Sequence, residues 1–123
     1  MMYNEGTIIA LSSAPGSGAI AIIRLSGEDA ISKTDLFFKS KSGKKLSESG
    51  GYSISYGDLV DNDEIIDEVV VSVYKAPHSY TGENIIEISC HGSIYIQQRI
   101  LSLFTNAGVR LASPGEFTLR EYL

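Results

Sequence analysis

The sequence predicts an α+β fold: a single domain over residues 1–123, with a mixed, mostly antiparallel sheet and two helices in the order ββαβββαβ. Three observations lead there. Several short runs rich in Ile and Val alternate apolar and polar residues in the manner of half-buried strands. The clearest helical spacing lies after His91, where Ile96, Ile100, Leu103, Phe104 and Ala107 fall on one face. Strands and helices do not alternate one for one along the chain, as a doubly wound parallel sheet requires. A hydrophobic fraction of 43% and a charged fraction of 20% are those of a folded domain with a real core, and 123 residues is a usual single-domain length.

The elements follow in order. Thr7 to Leu11 reads as a strand that runs into the turn Ser12-Ser13-Ala14-Pro15-Gly16-Ser17-Gly18, and Ala19 to Leu25 as a second strand. Ser26-Gly27-Glu28-Asp29 fits a capping box with Ser26 as N-cap, opening a helix that reaches about Phe38. Residues 39–51 are mostly Lys, Ser and Gly and read as a flexible loop. Tyr52 to Val60 and Glu64 to Tyr74 form two strands joined at Asp61-Asn62-Asp63 as a hairpin. Lys75 to Glu83, with Pro77 and Gly82, is a loop, and Asn84 to Cys90 a strand. The next helix opens at Ser93 and closes at Gly108, the residue expected just past its end. Val109 to Ala112 is a last strand, Pro114-Gly115 breaks it, and Phe117 to Leu123 begins another helix. The chain stops at Leu123 while still in apparent structure, which suggests a piece of a longer protein.

Charge and cysteine usage narrow the function classes. A net charge of −5 argues against nucleic acid being held by this domain alone, because phosphate binding needs clustered Lys and Arg. The basic cluster Lys39, Lys41, Lys44 and Lys45 reads as a solvated loop. No apolar run is long enough to span a bilayer, and Met1 to Gly6 lacks the pattern of a secretory signal. The single cysteine, Cys90, cannot form an internal disulfide and agrees with a cytoplasmic setting.

Several short motifs suggest chemistry. Gly16 to Ala21 matches G-x-G-x-x-A after a strand, the opening of a dinucleotide-binding fingerprint. That fingerprint needs a helix next, whose N-terminus receives the pyrophosphate, whereas Ile20, Ile22 and Ile23 favour a strand, so the turn reads as a hairpin. No G-x-x-x-x-G-K-[ST] occurs, so this chain carries no P-loop. Cys90 and His91, with His78, are too few for a structural zinc site without carboxylates. No catalytic residue and no metal site is assigned.

Glu87 is the most informative residue. Alternation along Asn84 to His91 puts Ile86, Ile88 and Cys90 on one face and Ile85, Glu87, Ser89 and His91 on the other. A carboxylate in the middle of such a strand is costly unless paired. Arg24, on the face of Ile20 and Ile22, raises the same question. Two readings stand: a structural Arg24–Glu87 pair, or a carboxylate and a cation that meet the polar edges of a ligand.

Three blocks spaced across the chain carry a family resemblance. They are Ile8-Ile9-Ala10 with Ala14 to Gly27 (APGSGAIAIIRLSG), Ser79 to Asn84 (SYTGEN) with Glu87 and Cys90-His91-Gly92, and Arg110 to Arg120 (RLASPGEFTLR). Together they resemble the N-terminal domain of the MnmE (TrmE) family of tRNA-modifying GTPases. Departures are small: Ala14 where the family often has Pro, Ser17 where a basic residue is common, and Ser93 where a second Gly is common.

The resemblance implies a folate-binding and dimerising domain, similar to the folate-binding domain of glycine-cleavage T-protein and to that of dimethylglycine oxidase. It implies a tetrahydrofolate derivative (5-formyl- or 5,10-methylene-) as the one-carbon donor, with Arg24 and Glu87 matching the family's folate contacts. A further contact, a lysine, is implied beyond Leu123. It implies a homodimer through this domain, the flavoprotein MnmG as partner, tRNA as substrate of the full complex, and GTP, Mg²⁺ and K⁺ in a separate GTPase domain. A carboxylate such as Glu87 can accept the two neighbouring N–H groups of a pterin, while Arg24 suits either the pterin carbonyl or an anionic end of folate. The alternative is a purely structural dimerisation domain with no folate site.

Overall fold

The Ile- and Val-rich runs assemble into one seven-stranded sheet. The structure is a computed structural model that describes residues 6–13, 16, 18–76 and 81–121. Its strands are β1 (Ile8–Leu11), β2 (Ile20–Ser26), β3 (Phe38–Ser40), β4 (Tyr52–Asp61), β5 (Glu64–Tyr74), β6 (Ile85–His91) and β7 (Arg110–Leu111). The helices are α1 (Ala30–Phe37), α2 (Ile94–Thr105) and α3 (Glu116–Glu121), and Leu46–Glu48 forms a single 3₁₀ turn. The sheet order is β3-β4-β5-β6-β2-β1-β7. Every neighbouring pair is antiparallel except β1 and β7, so the fold is α+β with a mixed, mostly antiparallel sheet. Ala14, Pro15, Ser17, Pro77, His78, Ser79, Tyr80, Tyr122 and Leu123, all parts of the sequence readings, lie outside the described residues.

One face of the sheet makes the core. Ile9, Ala21, Ile23 and Leu25 from β1 and β2 join Val69, Val71 and Val73 of β5 and Ile86, Ile88 and Cys90 of β6. Ile100, Leu103 and Phe104 of α2 and Ala30 and Ile31 of α1 cover them. Burying each such side chain contributes roughly 1.5–3 kcal/mol, which is why period-2 alternation sets which way every strand faces. The opposite face carries Ile20 (66% exposed), Ile54 (60%) and Tyr56 (49%) together with Arg24, Glu87, Ser89 and His91.

The β4–β5 hairpin turns on Asn62 and Asp63, both at positive φ (48° and 70°). Two central residues at positive φ match the twist of the strands they join, and Asn and Asp tolerate that region best after Gly. Gly108 closes α2 as expected: it sits at φ +97°. The Val109 N–H donates to the Phe104 carbonyl (3.1 Å) and the Gly108 N–H to that of Thr105 (3.1 Å), the paired bonds of a Schellman end.

Two expectations need correction. Ser26 is not the N-cap of α1: it ends β2, pairing with Ile8 on one side and Ile85 on the other. The helix begins after Asp29, whose backbone N–H is taken by the Thr7 hydroxyl (3.0 Å). Cross-strand pairing on both sides holds Ser26 in the sheet, and a hydroxyl distant in sequence substitutes for the local cap. Residues 39–51 are also more ordered than their composition suggests. β3 pairs with Gly57–Leu59, and Leu46 is fully buried. The Asp35 carboxylate accepts from the N–H groups of Leu46 (2.8 Å) and Ser47 (3.1 Å). Among these residues, Lys41 lies 3.4 Å from both Asp58 and Glu68.

Candidate functional site

Glu87 and Arg24 face each other across the centre of the sheet. β2 and β6 are antiparallel neighbours, and Arg24 and Glu87 are direct partners in the register. Alternation sends both side chains to the face opposite α1 and α2, because Ile23, Leu25, Ile86 and Ile88 are committed to the core. There the guanidinium donates twice to one carboxylate oxygen: Nε to Oε2 at 2.8 Å and Nη2 to Oε2 at 2.6 Å. Charge-assisted bonds of this length are the strong kind. The other oxygen, Oε1, takes no hydrogen bond from the described residues, and the Glu87 side chain keeps 16% of its surface. The pair that the structural reading anticipated is formed, and it leaves one carboxylate oxygen without a hydrogen bond from the described residues.

Its surroundings are built by segments far apart in sequence. Ser26, two residues beyond Arg24 on the same strand, shares a hydrogen bond with the Thr81 hydroxyl (2.9 Å) and donates to Glu83 (3.0 Å). Arg120, only 2% exposed, donates through Nη1 to Glu83 (2.8 Å) and to the Ser26 carbonyl (3.4 Å). Its Nη2 donates to the Gly6 carbonyl (2.9 Å) and to Glu116 (3.3 Å). Glu116 in turn receives a fork from Arg110, at 3.0 and 2.6 Å, and the Ser113 N–H at 2.9 Å. The Arg110 bonds, then the Ser113 N–H and the two positive charges, outweigh burial and hold the Glu116 carboxyl down to about 2. Composition marks Glu83 as a residue of a polar turn that solvent can satisfy. The structure instead makes it the acceptor for a buried guanidinium, a role that local sequence does not signal.

The glycine-rich turn after β1 has a structural explanation. It joins two antiparallel strands, and a strand, β2, follows Gly18 where a dinucleotide site needs a helix. It packs on the end of β6: the Gly18 N–H donates to the Gly92 carbonyl (3.2 Å) and the Gly92 N–H to that of Ala19 (3.2 Å). A side chain at Gly92 would collide with the Gly18 backbone. Gln97, a buried polar residue on α2 that apolar spacing does not single out, donates to the carbonyls of Gly16 (3.0 Å) and Gly92 (3.3 Å).

Cys90 and His91 point to opposite faces. Cys90 lies in the core, where burial first and the Asp67 charge second push its thiol up to about 11. His91 is exposed, its Nδ1 2.7 Å from Asp67, which also accepts the His91 backbone N–H at 2.8 Å. The two cannot act as a nucleophile–base pair. Among the described residues, no three His, Cys, Asp or Glu side chains gather in a way that could hold a metal ion. A depression of about 160 Å³ opens on the outer face beside His91, lined among others by Ile20, Tyr56, Val70 and Ser89. It does not include Arg24 or Glu87. No described helix is long and apolar enough to cross a membrane.

Fold and site define a class: a small α+β domain with one helix-covered sheet face and one open face that bears a fixed carboxylate–guanidinium pair. Comparison with known proteins supplies the family. Residues 7–123 match the family described as GTP-binding protein TrmE N-terminus. The chain is 51% identical over 122 residues to the tRNA modification GTPase MnmE of Flavobacterium johnsoniae, covering 99% of this chain and 26% of that protein. It is 51% identical over 119 residues to the MnmE of Parabacteroides distasonis (95% and 26%) and 48% identical over 122 residues to that of Clostridioides difficile (99% and 27%). The chain belongs to the TrmE N-terminal family, and it spans about a quarter of the length of these relatives.

Proposed function

We propose that this domain, residues 1–123, holds a tetrahydrofolate derivative at Arg24 and Glu87 and joins two copies of the chain, as the N-terminal part of a tRNA-modifying GTPase. The observation that carries the folate reading is the Oε1 of Glu87, which takes no hydrogen bond from the described residues and lies in the middle of the sheet's open face. A carboxylate whose sole purpose was to satisfy Arg24 would gain most from a two-oxygen fork, the arrangement Arg110 and Glu116 adopt. Glu87 instead gives Arg24 one oxygen and keeps the other for a donor from outside. The amide and amine N–H groups of a pterin are such donors, and Arg24 adds a fixed cation for a carbonyl or carboxylate oxygen.

The folate, in its 5-formyl or 5,10-methylene form, supplies a one-carbon unit. The chain's own residues bind and orient it; Cys90, buried in the core, and His91, on the opposite face, do not form a nucleophile–base pair. Two copies would meet on the open face. Ile20, Tyr52, Ile54 and Tyr56 are exposed there, and β3 covers only Gly57–Leu59 of the long strand β4. Exposed apolar patches and partly uncovered strand edges are what association removes. In the whole protein, GTP hydrolysis with Mg²⁺ and K⁺ belongs to another domain, the flavoprotein MnmG is the partner, tRNA the substrate, and the cytoplasm the setting.

Sedimentation with and without 5-formyltetrahydrofolate tests this reading. A species of twice 13.3 kDa at micromolar concentration, together with a folate-dependent rise in melting temperature, is expected. A monomer at every concentration rejects the dimer. An unchanged melting temperature at millimolar folate favours the alternative, an assembly domain whose Arg24–Glu87 pair is structural.

A further inference from the structure

We propose that Phe117 is a positioning residue for this site: its ring braces the Arg24 guanidinium against Glu87. The proposal rests on the folate reading above and extends it to a residue outside the sheet. Arg24 Cζ lies 5.9 Å from the centroid of the Phe117 ring, within the range of a cation–π contact. Arginine has a long, rotatable side chain, and that of Arg24 is 27% exposed. A guanidinium in that setting stays over one carboxylate oxygen only if something limits its rotamers. The ring contact adds to the limit that the two hydrogen bonds to Glu87 impose.

Phe117 is delivered to Arg24 by a firmly anchored helix. α3 has six residues, too few to be stable alone. The residue before Phe117, Glu116, is forked by Arg110 beside β1 and capped by the Ser113 N–H. Three residues after it, the buried Arg120 is tied to Gly6, to the Ser26 carbonyl and to Glu83. Ser26 lies on the same strand as Arg24, and Glu83 lies in the loop that leads into Glu87's strand. The anchors of α3 are therefore attached to β2 and to the loop that enters β6, so the ring keeps its place relative to Arg24 and Glu87 together. Aromatic filler on a helix end needs no such coupling.

The test is a double-mutant cycle read by calorimetric titration with 5-formyltetrahydrofolate. Phe117→Leu should weaken binding about three-fold, the size of a partly exposed cation–π contact. Phe117→Tyr should restore it, because a phenol keeps the ring. In an Arg24→Gln background Phe117→Leu should have no further effect, since the ring acts through the guanidinium. Unchanged affinity in a folded Phe117→Leu protein, or losses that simply add in the double variant, would overturn the proposal. Should Phe117→Leu not fold, Phe117→Trp decides in its place. The chain contains no tryptophan, so the introduced indole is the only emitter of its kind, and its spectrum should shift on adding Arg24→Gln. No shift rejects the brace. Absence of folate binding by the unaltered chain sinks the folate reading alone, and the ligand-free tryptophan spectrum then judges the Phe117–Arg24 contact separately.

Discussion

Arg24 spends two donors, Nε and Nη2, on a single oxygen of Glu87, its direct partner across β2 and β6. A partly buried pair of this kind is worth little net to the fold if both members are replaced together, and costly if one is left behind. Arg24→Met alone should lose about 1–3 kcal/mol, because Glu87 then keeps its charge without its partner. The double variant Arg24→Met/Glu87→Met should return to within about 1 kcal/mol of the unaltered chain in urea unfolding while losing folate affinity. A double variant as unstable as the two single losses added together would show that the pair is kept for the fold.

Glu83 behaves differently. Its carboxylate accepts from Arg120 and from the Ser26 hydroxyl, while its side chain stays about a third exposed (35%). Glu83→Ala should destabilise the domain by about 2 kcal/mol, since a buried guanidinium loses a charge-assisted bond. Thermal unfolding of Glu83→Ala beside Glu28→Ala, an exposed residue of the β2–α1 turn, makes the comparison. Equal melting temperatures would mean that Arg120 finds other acceptors at no cost.

Glu116 gives the domain an acid limit. Its carboxyl is held from 4.5 to about 2, chiefly by Arg110, and its side chain is 5% exposed. A depressed carboxylate contributes stability that is fully present above the unfolded value and is lost as pH falls toward the folded one. The contribution is on the order of 3 kcal/mol at pH 7, roughly half of that at pH 3 and close to nothing at pH 2. The stability gap between the unaltered chain and Glu116→Gln should shrink over that window in urea titrations. A gap that stays constant from pH 7 to pH 2 would contradict the assignment.

Leu46 anchors a segment whose composition reads as loop. It is fully buried against the core although its neighbours are Lys, Ser and Gly. Leu46→Ala should cost about 2–5 kcal/mol, as for other large-to-small core changes. A loss below about 0.5 kcal/mol in chemical unfolding, the usual range for surface changes, would return the segment to the surface.

The fold was legible where the signal is local and repeated. Alternation in Ile20–Ser26, Glu64–Tyr74 and Ile85–His91 sets strand faces directly, and the Asn62-Asp63 turn and Gly108 end their elements by backbone preference. The Arg24–Glu87 pair was legible because each is a charge among isoleucines on a strand. What the sequence hid depends on partners distant along the chain. Ser26 follows the local capping pattern, but β1 and β6 claim it on both sides. β3 exists through Gly57–Leu59, residues well beyond it. Glu83 and Arg120 are 37 residues apart, each in an unremarkable polar setting until the fold joins them. Single polar residues carry no period, so pattern reading passes over Gln97 and Thr34 as well, both buried.

The most direct test of the folate assignment is calorimetric titration of 5-formyltetrahydrofolate into the unaltered chain, Glu87→Ala and Glu28→Ala at one salt concentration. Losing a hydrogen bond to a charged group costs roughly 1.5–3 kcal/mol, so Glu87→Ala should bind at least about tenfold more weakly. Glu28→Ala should match the unaltered chain. Equal affinities in all three, with each protein folded, would contradict the account and leave the Arg24–Glu87 pair a purely structural contact.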